Sequence, residues 1–195
     1  MNSENNHIRA FIGISLSKEA IISLRYLQKQ LKTYGIKASW PRPETMHLTL
    51  NFFEKININK IDMIKACMTR AAAKTTIHTL SLSGIGAFPS IKKPRVIWSG
   101  TSGQIDVLGK LVDRLSINFF EDMGIKKENK RFLPHVTVAR IKQPISHKSM
   151  MKLFQTFKGF GPKDFLVSEI KIFQSVLQPS GGVIHKIIFS APLKN

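Results

Sequence analysis

His47-Leu48-Thr49-Leu50 recurs in the second half of the chain as His135-Val136-Thr137-Val138, and we call these two segments the tetrads. Each tetrad alternates a polar residue with an aliphatic one, which is the pattern of a strand whose two faces differ. In such a strand the histidine and the threonine share one face, and the aliphatic pair enters the core. We therefore predict two strands that each present one imidazole and one hydroxyl.

Helices and strands follow each tetrad in a comparable order. Hydrophobic periodicity predicts helices over 18–34, 60–73, 104–123 and 146–157, and further strands over 9–16, 77–85, 95–99, 165–177 and 183–189. No linker divides the chain. The sequence predicts an α+β fold in which residues 1–195 form a single domain of two pseudo-symmetric lobes. Each lobe would be a mainly antiparallel sheet with helices on its outer face, and the active-site cleft would lie between the lobes.

Composition restricts the class of protein. The 195 residues are 43% hydrophobic, which is sufficient for a core, and no apolar run approaches the roughly 20 residues of a membrane span. The polar N-terminal residues lack a signal-like apolar block, so we expect a cytoplasmic protein without a membrane partner. Cys67 is the single cysteine, which excludes an internal disulfide and predicts a core position.

The charge balance favours an anionic partner. Thirty Lys and Arg residues stand against 12 Asp and Glu, which gives a formal net charge of +18. A field of this sign concentrates polyanions, and nucleic acid is the partner that we expect. The alternative is an ordinary solvated basic surface. Lys126, Lys127, Lys130 and Arg131 cluster just before the second tetrad, where an RNA backbone could be drawn in.

The tetrads favour acid–base chemistry. Imidazole has an unperturbed pKa of ~6.5, so one histidine can be neutral while the other is protonated. The four remaining histidines lack the tetrad context, and we assign them structural or surface positions: His7, His78, His147 and His185. Zinc-type histidine and cysteine spacings, a nucleophile elbow and a Walker loop are absent from the sequence. What suits two imidazoles and two hydroxyls is displacement at an anionic centre such as phosphate, without metal or cofactor.

The sequence resembles the two-histidine (2H) phosphoesterases, and most closely the RNA 2′,3′-cyclic phosphodiesterases once described as 2′-5′ RNA ligases. The resemblance is carried by both tetrads and by Arg9-Ala10-Phe11-Ile12, Trp40, Phe52, residues 94–100, residues 131–140 and a terminal strand pair with Gly181-Gly182. Two positions depart from the family pattern. Glu54 stands where glycine is frequent, in what we expect to be a loop beside the site, and His185 stands where an aromatic such as tyrosine is usual.

The resemblance implies a role for each tetrad residue. His47 would be the proton donor to the leaving 3′-oxygen, and His135 the proton acceptor that activates water. Thr49 and Thr137 would hold phosphate oxygens. The family also places Arg140 at the phosphate, but strand parity opposes this, because positions 135, 137 and 139 share a face. Arg140 reaches the cleft only if the strand ends or bulges near Ala139, and Arg131 is the competing phosphate-binding cation.

Aromatic residues near the tetrads are candidates to stack a terminal base, and core packing is the alternative role for most of them: Phe11, Trp40, Phe52 and Phe132. The expected function is metal-independent hydrolysis of an RNA terminal 2′,3′-cyclic phosphate to a 2′-phosphate, with tRNA fragments among the candidate substrates and a monomer as the active species. The reverse reaction would be 2′-5′ RNA ligation. The alternatives are a 2′-5′ oligoadenylate or small cyclic-nucleotide phosphodiesterase, and a non-catalytic RNA- or nucleotide-binding module.

Overall fold

The computed structural model describes residues 6–127, 131–161, 163–179 and 182–195. In chain order these ranges form β1 (His7–Ser15), α1 (Lys18–Lys32), β2 (Ala38–Ser39), β3 (His47–Asn57), α2 (Ile61–Ala73), β4 (His78–Phe88), β5 (Val96–Gly103), α3 (Ile105–Met123), β6 (His135–Ile141), α4 (His147–Thr156), β7 (Lys163–Val167), β8 (Glu169–Leu177) and β9 (Val183–Pro192). Short 3₁₀ turns at Pro43–Thr45 and Ile58–Lys60 precede β3 and α2.

The strands pair antiparallel in the order β7-β4-β5-β6-β3-β1-β8-β9, and the short β2 pairs with β6. The two tetrad strands therefore lie at the centre of the sheet, where Leu48 pairs with Val136. On one side β3 continues into β1, β8 and β9, and on the other side β6 continues into β5, β4 and β7. These two halves are the predicted lobes, so the α+β, two-lobed fold class is confirmed.

The halves are interleaved along the chain. One half combines the N-terminal β1 and β3 with the C-terminal β8 and β9, whereas the other half takes β4 to β7. The predicted strand over 165–177 is wrong, because it breaks at Ser168 into β7, which pairs with β4, and β8, which pairs with β1 and β9. One residue separates these two strands of opposite halves, so the sheet must curl and bring its ends together. The carbonyl of Lys194 accepts a hydrogen bond from the Ile77 amide there.

The helices cover the face of the sheet opposite to the tetrad imidazoles. The α1 stripe of Leu24, Leu27 and Leu31 is fully buried, and α1 contacts β6 and β7. Helix α3 ends at Gly124, whose φ of 66° is the left-handed conformation that suits a helix C-terminus. Cys67 lies in the core, as predicted. Within the described ranges, no helix combines the length and the apolarity required to cross a membrane.

Candidate active site

The tetrads place four polar side chains on one wall of a cavity of about 500 Å³ between the two halves. His47 and Thr49 come from β3, and His135 and Thr137 come from β6. The alternate residues Leu48, Val136 and Val138 have no exposed surface and belong to the core. The alternation of each tetrad thus divides its residues between chemistry and packing, as the sequence predicts.

The backbone fixes the orientation of both imidazoles in the same way. Nδ1–H of His47 donates to the carbonyl of Thr45 at 2.8 Å, and Nδ1–H of His135 donates to the carbonyl of Leu133 at 2.7 Å. In each case the acceptor lies two residues before the histidine. This hydrogen bond assigns the ring proton of the neutral imidazole to Nδ1, which leaves Nε2 as the nitrogen that exchanges a proton.

Aromatic rings pack against both imidazoles. The ring of Phe11 stacks on His47 with centroids 4.1 Å apart, and Phe173 stacks on Phe11 at 4.9 Å. The edge of Phe88 meets His135 at 4.9 Å. Such packing restricts the ring positions before any ligand binds.

Burial and positive charge lower the pKa of both tetrad histidines. For His47, burial is the largest cause, and the nearby His185 and Arg140 add to it, so that its pKa falls to about 4. The pKa of His135 is also lowered, first by burial and then by the charge of Arg140. Both causes penalise the imidazolium. An anion in the cleft would oppose the effect of the cations and raise both pKa values.

A β-bulge brings Arg140 into the cleft. Thr137 pairs with Trp98 on β5, but Ala139 pairs with the adjacent Ile97, so Val138 is an extra residue on β6. Val138 and Ala139 are both fully buried. The bulge shifts the alternation by one position, and Arg140 lines the same cavity as His135 and Thr137. The parity objection raised by the sequence is thereby removed.

The first tetrad carries the same irregularity. On β3, Thr49 pairs with Gly13 while Asn51 pairs with Ile12, so Leu50 is the extra residue. Phe52 consequently reaches the cavity from the place that Arg140 holds on the other strand, five residues after the tetrad histidine. The two halves are therefore alike in backbone but differ in chemistry, with a guanidinium on one side and an exposed aromatic ring on the other.

A buried glutamine satisfies the backbone of the β6 bulge. Gln28 on α1 is 4% exposed, and its Nε2 donates to the carbonyl of Val138 at 2.9 Å and to that of Pro41 at 2.9 Å. Bulges leave ladder groups unpaired, and a buried unpaired carbonyl is costly. Gln28 thus connects two parts of the site. One is the bulge that orients Arg140, and the other is the segment that carries Trp40.

Not every predicted aromatic reaches the cleft as expected. Trp40 and Phe52 line it, and Phe52 is 43% exposed. Phe11 also lines the cavity, but its ring is only 2% exposed and packs against His47 and Phe173, so a base-stacking role for Phe11 stays a prediction. Phe132 does not line the cavity, since it packs against the hydrophobic core.

The described residues of the basic cluster before the second tetrad do not line the cavity. Lys126, Lys127 and Arg131 are exposed and do not line it, and Lys130 lies outside the described residues. Ser180 and Gly181 of the β8–β9 turn also lie outside them. Glu54, expected in a loop, belongs to β3, because that strand continues past the tetrad to pair with β1.

Several cavity residues were not identified from the sequence. The assignment of His185 to a structural or surface position is wrong, because its ring edge meets His47 with centroids 5.0 Å apart. Arg9, Arg42 and Ser175 also line the cavity. Only Arg9 carried a local signal, since it alternates with Phe11 on a predicted strand. No aspartate or glutamate is found among the described residues of the cavity wall.

Metal-binding side chains are not clustered in the part of the chain that the structure describes. No group of three or more His, Cys, Asp or Glu residues there could hold a metal ion. The ionisable side chains of the cavity wall are instead imidazoles and guanidinium groups, which can transfer protons and neutralise a phosphate.

Comparison with known proteins identifies the class. Residues 14–98 match the family described as LigT-like phosphoesterases. The fold resembles a crystal structure from Thermus thermophilus, with a TM-score of 0.77, 24% identity, and coverage of 95% of this chain and 98% of that one. It also resembles E. coli LigT in its apo form, with a TM-score of 0.73, 17% identity, and coverage of 97% and 99%. These likenesses concern the fold.

Sequence relatives define the class more closely. A protein of Thermotoga maritima is 31% identical over 93% of this chain and 94% of its own length, and one of Aquifex aeolicus is 28% identical over 90% and 93%. The chain therefore belongs to the LigT-like phosphoesterase family, and the resemblance to 2H phosphoesterases is confirmed. Both relatives are named RNA 2′,3′-cyclic phosphodiesterase.

Proposed function

We propose that this protein hydrolyses the terminal 2′,3′-cyclic phosphate of RNA to a 2′-phosphate, with His47 as general acid and His135 as general base. The observation that carries the proposal is the pair of imidazoles that face one cavity, each with Nδ1 bonded to the backbone and Nε2 left for proton transfer. Full-length relatives that are named for this activity support the same substrate.

In this mechanism His135 Nε2 accepts a proton from water as the water oxygen attacks phosphorus. The bond between phosphorus and the 3′-oxygen breaks, and His47 Nε2 protonates that oxygen. Thr49 and Thr137 donate hydrogen bonds to the non-bridging oxygens. Arg140 faces the charge that develops on them, where a planar guanidinium can bind two oxygens at once. Attack on phosphorus by the 5′-hydroxyl of a second RNA end, in place of water, would break the same bond to the 3′-oxygen and form a 2′-5′ linkage.

RNA is the proposed partner, and RNA fragments with a cyclic phosphate end, tRNA fragments among them, are the proposed substrate class. The net charge of +18 and the absence of acidic residues from the described cavity wall support an anionic ligand. All residues of the proposed site come from one chain, so a monomer and a single two-lobed domain suffice for activity. Trp40 and Phe52 line the cavity, and in this proposal their rings stack a base.

Turnover in a chelator tests this proposal. We expect purified protein in EDTA to convert an oligonucleotide ending in a 2′,3′-cyclic phosphate to the 2′-phosphate, because the two imidazoles supply both proton transfers. Product mapping would distinguish the 2′-phosphate from the 3′-phosphate. Loss of turnover in EDTA that one divalent ion restores would contradict the mechanism. Preference for 2′-5′ oligoadenylate or a small cyclic nucleotide would favour the alternative substrates.

The lowered histidine pKa values predict an acid-shifted pH profile. The active form holds one protonated and one neutral histidine, so kcat/KM should be bell-shaped, and its limbs should report the pKa values of the free enzyme. Because the pKa of His47 is about 4 and that of His135 is also lowered, the maximum should lie below pH ~6.5.

The profile of kcat should then move to higher pH, because bound phosphate opposes the cations that lower both pKa values. Initial rates measured from pH 3.5 to 9 with constant ionic strength would separate the two profiles. A kcat/KM maximum well above pH 7, or a flat profile, would be inconsistent with two buried histidines that exchange the protons.

A further inference from the structure

Three polar side chains form a row across adjacent strands beyond the tetrad histidines. Ala10 on β1 pairs with Gln174 on β8, which brings the preceding Arg9 next to Ser175. Ser175 in turn pairs with His185 on β9. Arg9, Ser175 and His185 all line the cavity that contains His47, and we call them the polar row.

The polar row presents hydrogen-bonding groups to the cavity. Ser175 Oγ lies 3.3 Å from His185 Nδ1, and when the hydroxyl donates, the ring proton of His185 is on Nε2. The guanidinium of Arg9 lies 4.9 Å above the exposed ring of Phe52. Among the described residues, Arg9 forms neither an ion pair nor a hydrogen bond through its side chain.

A second, more open cavity shares Arg9 with the first. Its wall is formed by His7, Ile8, Arg9, Glu54 and Lys55. Arg9 thus stands where the closed part of the cleft opens to solvent. A ligand that extends beyond the tetrads on this side must pass its guanidinium, and Lys55 adds a second cation there while Glu54 opposes it.

We propose that the polar row, led by Arg9, is a second phosphate site that binds the phosphodiester immediately 5′ of the cyclic phosphate. This inference rests on the proposed function and names the substrate as an RNA of at least two nucleotides. The positions of Arg140 and Arg9 assign a different phosphate to each. Arg140 shares β6 with His135 and serves the reacting phosphate, whereas Arg9 lies over the ring of Phe52, on the wall of both cavities, and serves the next one.

Four substrates and two variants test the site. We compare a nucleoside 2′,3′-cyclic phosphate, a dinucleotide with the same end, the same dinucleotide with an uncharged methylphosphonate linkage, and a longer oligonucleotide. The variant is Arg9→Gln, which removes the charge but keeps most of the length. The control is Lys186→Gln, which removes one charge from the exposed neighbour of His185 outside the cavity.

Arg9→Gln is expected to raise KM for the dinucleotide about tenfold or more, because a hydrogen bond to a charged group is lost. KM for the mononucleotide and the methylphosphonate dinucleotide should stay unchanged, as should kcat for all substrates. The slope of log(kcat/KM) against log[salt] for the oligonucleotide should fall by about 0.7, the value for one phosphate contact on a single strand. Lys186→Gln should leave KM for the dinucleotide unchanged.

Equal effects of Arg9→Gln on the phosphodiester and methylphosphonate dinucleotides would show that Arg9 supports stacking and would overturn the phosphate site. An unchanged KM for the dinucleotide, or the same rise for the mononucleotide, would also overturn it while leaving the proposed function intact. A wild-type protein that hydrolyses none of the four substrates would overturn the proposed function itself and this inference with it.

Discussion

Replacement of His47 or His135 by alanine is expected to lower kcat for the cyclic phosphate by about 10²–10⁴-fold, the usual contribution of one general acid or base. The double variant should lose less than the product of the two single losses, because the two imidazoles act as a unit. Thr49→Val and Thr137→Val should have smaller effects, since each removes one hydrogen bond to the anion, worth about 1.5–3 kcal/mol.

A matched control distinguishes the loss of a catalytic histidine from the loss of a histidine elsewhere in the protein. His147→Ala removes an exposed imidazole on α4 that does not line the cavity, and it should leave kcat unchanged. Circular dichroism would establish that each variant is folded. If folded His47→Ala or His135→Ala protein turned over the cyclic phosphate at a near wild-type kcat, the paired-histidine mechanism would be wrong for this chain.

The second large effect is expected at Arg140. Arg140→Ala should reduce kcat/KM about 10- to 100-fold, because the charge-assisted hydrogen bonds that it offers to the phosphate contribute about 1.5–3 kcal/mol. Arg140→Lys should recover only part of the loss, since lysine keeps the charge but lacks the planar fork. The β6 bulge is what aims this side chain at the phosphate.

Arg131 provides the comparison for that experiment. It is exposed and stands before β6 rather than on the cavity wall. Arg131→Lys and Arg131→Ala should therefore have little effect on kcat, and any change should be confined to KM for long RNA. A larger kcat loss from Arg131 variants than from Arg140 variants would assign the phosphate contact to Arg131 instead.

The orientation of the tetrad side chains could be predicted from sequence because it depends only on the alternation of neighbouring residues along a strand. Strand alternation alone separates His47 and Thr49 from Leu48, and the order of elements predicts two lobes. From the sequence, Arg140 is expected in the cleft only if β6 ends or bulges near Ala139. A bulge is defined by the pairing with the partner strand, which the sequence does not reveal. The extra residue Val138 becomes visible only when β6 is paired with β5.

Long-range placement explains the errors. His185 lies far from both tetrads in sequence, and only the pairing of β8 with β1 brings its strand near His47. The buried positions change parity across this break, from Phe165 and Val167 in β7 to Ile170 and Ile172 in β8. A short apolar segment still reads as one strand when the partner strands are unknown. For Phe11 the sequence leaves base stacking and core packing open, because an aromatic residue beside a histidine can support the ring as readily as it can stack a base.

The assignment of acid and base can be tested with a substrate whose 3′-bridging oxygen is replaced by sulfur. A thiolate leaves without protonation, since thiols have a pKa near 8.5, far below that of an alcohol. The account predicts that His47→Ala protein hydrolyses the sulfur substrate at close to the wild-type rate, while His135→Ala protein remains impaired by about 10²–10⁴-fold. Equal impairment of both variants on the sulfur substrate, or rescue of His135→Ala instead, would contradict it.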